Sequence, residues 1–266
     1  MRKINLVGGG FKHCLSTNGF ILPKKIQWVL DGSSDISFHV DDGIFHSVDT
    51  TKRNFAFLSE SKTIIPDLYS NCLNHIKYLE ETYELIFTHD KLFEEKSKKI
   101  KVLNLCATSW ILEENRKIYP KSKLISMIAS TKNMCKDHSL RNQVSESLMS
   151  KIDLYGRGRV NELVNKLDGL KDYCFSISME NGTYDNMYSE KILDCFTTGT
   201  IPIYHGSEAI KNIFNPEGII WLKDFNLKNL NYELYESKKE AIKENFEIAN
   251  SLPHPEDYIY TTFIRQ

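Results

Sequence analysis

The sequence predicts an α/β protein of two domains, each a parallel sheet with crossover helices. Strand-like apolar runs alternate with helical patterns along the whole chain. Its 266 residues are long for one compact domain and suit two of about 100–150 residues. A composition of 41% hydrophobic and 26% charged residues is that of a globular chain, neither disordered nor fibrous.

The strand-like runs are Ile4–Val7, Ile26–Leu30, Ile36–Val40, Phe55–Leu58, Glu84–Thr88, Val102–Leu105, Leu124–Ile128, Ile152–Tyr155, Cys174–Met179, Ile201–Tyr204 and Ile219–Leu222. Helical patterns between them include Leu140–Ser150, Val160–Leu167 and Glu190–Thr198. Tyr235–Ser251 reads as a charged amphipathic helix, ended by Pro253 and Pro255. The charged, proline-containing step Tyr119-Pro120-Lys121 marks the boundary, giving domains of residues 1–120 and 121–266. No internal repeat or low-complexity segment is visible.

Several function classes drop out. Thirty-four basic against thirty-five acidic residues give no global field to gather nucleic acid or an anionic membrane, although a local positive pocket is compatible with that balance. No stretch approaches the roughly 20 apolar residues of a membrane helix, which leaves only peripheral membrane contact open. The basic start at Arg2-Lys3 runs through a short apolar segment into Gly8-Gly9-Gly10, a first strand and not a secretory signal. Cysteines at 14, 72, 106, 135, 174 and 195 are scattered without metal-ligand spacing, so a reducing cytoplasm is expected. His13, His39 and His46 form no metal constellation, and the adjacent Asp41-Asp42 reads as a loop turn, so no metal site is expected.

Chemistry concentrates between Tyr173 and Trp221. This stretch reads as a strand, a polar loop with Glu180-Asn181, a helix, a glycine stop and a short strand with Pro202. Ser189 is a natural N-cap, Gly199 a natural stop, and Ile192, Leu193, Cys195 and Phe196 form one buried stripe. Lys191 opposes the helix dipole from the first turn, at a cost of a few tenths of a kcal/mol, roughly. An anionic ligand would reverse that sign; otherwise Lys191 is a solvated lysine beside Glu190.

This stretch resembles the donor-binding motif of the family-10 glycosyltransferases, the α1,3/1,4-fucosyltransferases. The matching residues are Glu180-Asn181, Ser189-Glu190-Lys191, Thr200 to Tyr204, Gly206 and Phe214-Asn215-Pro216, in the same order and spacing over about fifty residues. His205 stands where the family has Trp, and Met187 where many members have Tyr, which bears on the identity of the sugar. Upstream, Ala129 to Asn142 resembles the stretch whose arginine, here Arg141, meets the pyrophosphate; a surface arginine at a helix start is the alternative. Leu154-Tyr155-Gly156-Arg157-Gly158 matches a turn of the same family. Phe55 to Ser61 matches a short motif whose acid, here Glu60, acts as the base on the acceptor; strand-end solvation is the plain alternative. His89-Asp90 and Thr108-Ser109-Trp110 fall in the family's acceptor region, where they read as loop structure lining a cleft.

The resemblance implies a GT-B fold, two Rossmann-like domains facing across a cleft, with the N-terminal one holding a glycan acceptor. The C-terminal one would hold the nucleotide-sugar, GDP-fucose or a related GDP-sugar, without cofactor or obligatory metal. Glu60 and Glu190 would be catalytic, and Arg141, Asn181, Glu190, Lys191, Tyr155 and Gly156 would bind the donor. Another GDP- or UDP-hexose as donor is the milder alternative. A catalytically silent binding module, which needs Arg141 and Lys191 but no base, is the rival.

Overall fold

The computed structural model describes residues 1–8, 16, 19, 21–103 and 107–265. His13, Cys14, Leu105 and Cys106 lie outside the described residues. The strands are β1 (Arg2–Val7), β2 (Ile26–Val29), β3 (Ile36–Val40), β4 (Arg53–Leu58), β5 (Leu85–Thr88), β6 (Ile100–Val102), β7 (Lys123–Ile128), β8 (Asp153–Tyr155), β9 (Tyr173–Met179), β10 (Ile201–His205) and β11 (Ile220–Trp221). The α-helices are α1 (Pro66–Asn74), α2 (Ile76–Thr82), α3 (Lys136–Leu148), α4 (Glu190–Phe196), α5 (Tyr232–Ser237), α6 (Lys239–Ser251) and α7 (Pro255–Ile259). Ten of the eleven strand-like runs fall on these strands, with ends shifted by a few residues; Val102–Leu105 meets β6 only at Val102 and continues into residues outside the described ones.

The chain forms two compact units. Met1–Ala107, Tyr184–Met187 and Pro253–Gln266 make the first, and Thr108–Thr183 with Tyr188–Leu252 the second. The first holds a parallel sheet of order β2-β1-β3-β4-β5-β6. Strand alternation sends Phe55 and Phe57 of β4 to one face, where Ile4, Phe38, Phe87, Ile259 and Ile264 meet them. Ala56 and Leu58 point to the other, against Tyr69, Cys72 and Leu79 of α1 and α2. Burial on both faces explains why these strands read as continuous apolar runs.

The second unit has the parallel order β11-β10-β9-β7-β8. Its core joins Ile125, Met127, Phe175, Ile177, Ile201 and Ile203 to Leu230, Tyr235 and Ile242 from the helical C-terminal part. Because each sheet is parallel, all its strands end on one edge, where open α/β sheets carry their sites.

Four expectations are corrected. The division falls before Thr108, not at residue 120, because Ile111 packs with Leu167, Leu170 and Cys195, and Tyr119 N–H donates to Thr198 O. Residues 253–266 belong to the first unit, where Ile259 and Ile264 fill one sheet face. Val160–Leu167 is not a helix; Val160 and Val164 are fully exposed, and only a 3₁₀ turn forms at Lys166–Gly169. The tail splits at Lys238 into α5 and α6, and Pro255 does not merely end a helix but opens α7 at its first turn.

Candidate active site

In the second unit, four strand ends assemble the donor-motif residues. β9 runs straight into Glu180 and Asn181. Glu180 is buried, and its carboxylate accepts from Ser189 N–H at 2.9 Å and from the Ser189 hydroxyl at 2.5 Å. Ser189 caps α4 as its sequence position suggests, and Gly199, at φ +69°, stops the helix in the left-handed conformation. The loop is thereby tied back onto the strand from which it leaves.

Lys191 is not the solvated lysine of the plain reading. Its ammonium lies 3.6 Å from Glu180, 3.5 Å from Glu190 and 2.9 Å from the Ser189 hydroxyl. Burial alone would lower its pKa, but Glu190 and Glu180 outweigh that and raise it. Beside it, Lys166 bridges Glu190 at 3.1 Å and the buried Asp194 at 3.0 Å, with the Trp110 ring 4.4 Å from its nitrogen. Asp194 also accepts from the Ser109 hydroxyl and the Trp110 N–H. Burial would raise the Glu190 carboxyl, but the Lys166 and Lys191 ammoniums overcome it and hold it at about 2. Glu190 is therefore a fixed anion at neutral pH.

The same edge carries the arginine. Arg141, on α3, is buried and donates to Ser130 O, the Ser130 hydroxyl and Lys132 O at 3.3–3.4 Å, all long bonds through one terminal nitrogen. Its Nε is buried with no hydrogen-bond partner among the described residues. A guanidinium so weakly satisfied suits an anion's oxygens. From the same helix, His138 accepts the Met134 N–H at Nδ1, so Nε2 carries the proton and donates to Asn181 Oδ1 at 2.9 Å. This bond fixes the Asn181 amide.

Tyr155 and Gly156 occupy different roles. The Tyr155 hydroxyl pairs with that of Tyr173 at 2.7 Å. Gly156, at φ +140°, lets β8 and β7 leave the sheet side by side; a Cβ there would sit 2.4 Å from Ala129 O. His205, in the place of the family's Trp, pairs with Asp137 of α3 at 3.0 Å.

Glu60 lies in the first unit, two residues beyond β4. Its side chain is exposed and accepts from Ser61 N–H at 2.8 Å. Asp41 Oδ1 accepts from Ser59 N–H at 2.8 Å and Glu60 N–H at 3.2 Å, and the Tyr69 hydroxyl donates to Glu60 O at 2.8 Å. Next to this loop, the Tyr184 hydroxyl meets Ser61 Oγ, Lys62 N–H and His89 Nε2. Lys62 pairs with Asp90 at 2.9 Å. Burial pushes His89 down to about 4, so it stays neutral. Met187 is buried in the same unit.

Sequence reading gives no role to Lys166, Asp194, His138 or Tyr184, takes Asp41 only as part of a loop turn, and assigns Ser109 and Trp110 to the other domain. Only Asp194 carried a visible signal: an acid inside the apolar stripe of α4, four residues after Glu190. Among the described residues no group of histidines, cysteines and acids could hold a metal ion.

Two units, each built on a parallel sheet, match the GT-B fold of solved fucosyltransferase structures. A crystal structure of an α1,3-fucosyltransferase superposes with a TM-score of 0.51 over 95% of this chain and 81% of that one, at 15% identity, a likeness of fold. Residues 118–247, just under half of the chain, match the profile described as glycosyltransferase family 10 (fucosyltransferase) C-term. The α-(1,3)-fucosyltransferase FucT of Helicobacter pylori is 32% identical over 127 residues, 46% of this chain and 25% of that protein. A fucosyltransferase-like protein of Arabidopsis thaliana is 31% identical over 99 residues, 35% of this chain and 19% of that protein. The aligned segment thus spans a quarter or less of these relatives' length.

Proposed function

We propose that this chain transfers L-fucose from GDP-fucose to a hydroxyl of a glycan acceptor, by a single inverting displacement at the sugar C1. The observation that carries the reading is the group formed by Arg141, its buried Nε unpartnered among the described residues, together with Asn181, Glu190 and Lys191 at one sheet edge. Arg141 and Lys191 offer fixed positive charge to a departing nucleoside diphosphate. Such charge, already in place, stabilises the transition state with little reorganisation. Glu190, held ionised, takes the ribose hydroxyls or faces the oxocarbenium charge. In this reading Glu60 removes the acceptor proton, general-base help of typically about 10²–10⁴-fold. No metal is needed, because the two cations do that work, and the setting is the cytoplasm.

A second donor, another GDP- or UDP-hexose, is favoured by one observation. His205 is engaged with Asp137 where the family presents an indole. A thermal-shift panel of GDP, UDP, CMP and ADP, with and without EDTA, separates these. GDP raises the midpoint most and EDTA leaves the rise intact; UDP outperforming GDP moves the donor assignment, and a strict metal requirement removes the two-cation account. The binding-module rival is tested by Glu60→Gln, which retains GDP-fucose affinity and loses on the order of 10²-fold in transfer rate. A variant that transfers at the wild-type rate leaves Glu60 a strand-end residue.

A further inference from the structure

The turn between β3 and β4 contains a left-handed, buried aspartate with no part in the chemistry so far. Asp41 has φ +47° and is 7% exposed. Asparagine and aspartate tolerate this backbone region better than other side chains, and glycine best of all. The turn it opens, Asp41–Phe45, is pinned from three sides. A Cβ on Gly43 would lie 2.3 Å from Val7 O, and one on Gly8 2.4 Å from Val40 O, so the end of β1 and this turn touch backbone to backbone. The His39 ring donates from Nδ1 to Gly43 O at 3.0 Å, and the buried Tyr83 hydroxyl donates to Ile44 O at 2.6 Å. Asp41 is therefore mounted on rigid main chain.

From that mount its Oδ1 reaches the next strand end and accepts two consecutive amides, those of Ser59 and Glu60. On the far side of the same residue the buried Tyr69 hydroxyl holds the Glu60 carbonyl. The exposed Glu60 side chain thus stands on a backbone fixed at both its N–H and its C=O by buried side chains. A loop glutamate with one such anchor could rotate with its peptide; with two, only its own side-chain torsions remain free.

We propose that Asp41, with Tyr69, is a positioning residue that sets the direction from which Glu60 meets the acceptor hydroxyl. The inference rests on the reading of Glu60 as the base. Burial raises the Asp41 carboxyl to about 7, against the two amide bonds that favour its charged form. The acceptor atom, Oδ1, is present in either protonation state. An asparagine, which keeps that oxygen and tolerates the backbone, therefore replaces it. A glycine suits the backbone still better and deletes the acceptor.

The experiment compares Asp41→Asn, Asp41→Gly, Tyr69→Phe and Glu60→Gln for kcat, for donor KM, and for GDP-induced thermal shift. Asp41→Gly lowers kcat on the order of 10-fold or more, as expected when a reacting group is misplaced by a fraction of an ångström. Donor KM and the GDP shift stay at wild-type values, which a general loss of structure would not allow. Asp41→Asn restores kcat to within about 3-fold of wild type, because it keeps the oxygen that holds both amides and so keeps the reacting group in place. Should Asp41→Gly fail to fold, Tyr69→Phe reads the other anchor by the same pattern. Wild-type kcat in the folded anchor variants, with Glu60→Gln inactive, overturns the positioning role alone. Wild-type transfer by Glu60→Gln overturns the base, and the positioning role with it.

Discussion

Replacing Lys166 with methionine tests the charged group beneath the donor motif. Methionine keeps the length of the stem and removes the ammonium that bridges Glu190 at 3.1 Å and Asp194 at 3.0 Å. A carboxyl held at about 2 instead of 4.5 prefers its charged form by about 3 kcal/mol, at about 1.4 kcal/mol per pH unit. Lys166 and Lys191 share that preference, so the variant forfeits about half of it at Glu190. Asp194, 1% exposed, is then a buried carboxylate with, among the described residues, only the Ser109 hydroxyl and the Trp110 N–H as donors. Breaking a buried pair from one side costs about 3–5 kcal/mol, and the surviving Lys191 and the two donors place this case near the lower end. The expected loss is about 3 kcal/mol, or about 6–12 °C in Tm for a protein of this size. Urea titrations at a series of pH values read it directly.

The pH dependence supplies a second, independent reading. Glu190 has a folded pKa below its unfolded value. Its stabilisation is full above pH 4.5 and is lost as the pH falls from 4.5 towards 2. Lys166→Met raises that carboxyl back towards the ordinary range, so the acid-side loss over this window becomes shallower than in the wild type. A variant within about 0.5 kcal/mol of wild type at pH 7, the range of neutral surface substitutions, with an unchanged slope below pH 4.5, refutes the bridging role.

Three further outcomes follow from the same contacts. Lys191→Ala destabilises the unliganded protein by about 1–3 kcal/mol in urea titration, because it removes the counter-ion of the buried Glu180; the helix-dipole argument taken alone expects a slight gain. Arg141→Ala abolishes most of the GDP-induced thermal shift while the circular dichroism spectrum stays native, and an undiminished shift places the diphosphate elsewhere. His89 has a folded pKa of about 4 against 6.5, so the unfolded chain takes up the proton first and stability falls as the pH drops from 6.5 to 4. His89→Gln removes up to about 3 kcal/mol of that pH dependence, seen as a flatter plot of the urea midpoint against pH.

The strands were legible because parallel sheets bury both faces, which writes a continuous apolar run at each one, as in Ile36–Val40. The ends of α4 were legible because Ser189 and Gly199 carry the capping chemistry in their own side chains and backbone freedom. Residues 160–167 misled for the opposite reason. Helical spacing of Val160, Val164 and Leu167 costs nothing to write when the side chains face solvent, and two of the three do. The contacts of Lys166, and those of Asp41 beyond its turn, were illegible because each works on partners distant in sequence, 28 and 19 residues away at the far reach. Their meaning exists only once the sheet edges have gathered those partners.

The return of α7 to the first unit sets the order in which the protein can be completed during synthesis. Phe38, Phe55, Phe57 and Phe87 are made early, yet Ile259 and Ile264, which cover their face, are made only after the whole of the second unit. The ribosome therefore releases every residue of the second unit before the first can close, and the aromatic sheet waits uncovered in the meantime. Exposed sheet faces of this kind are where nascent chains aggregate or recruit chaperones. A chain stopped at Leu252 would carry both sheets and all the proposed site residues, and still lack the piece that covers the aromatic face of its first sheet.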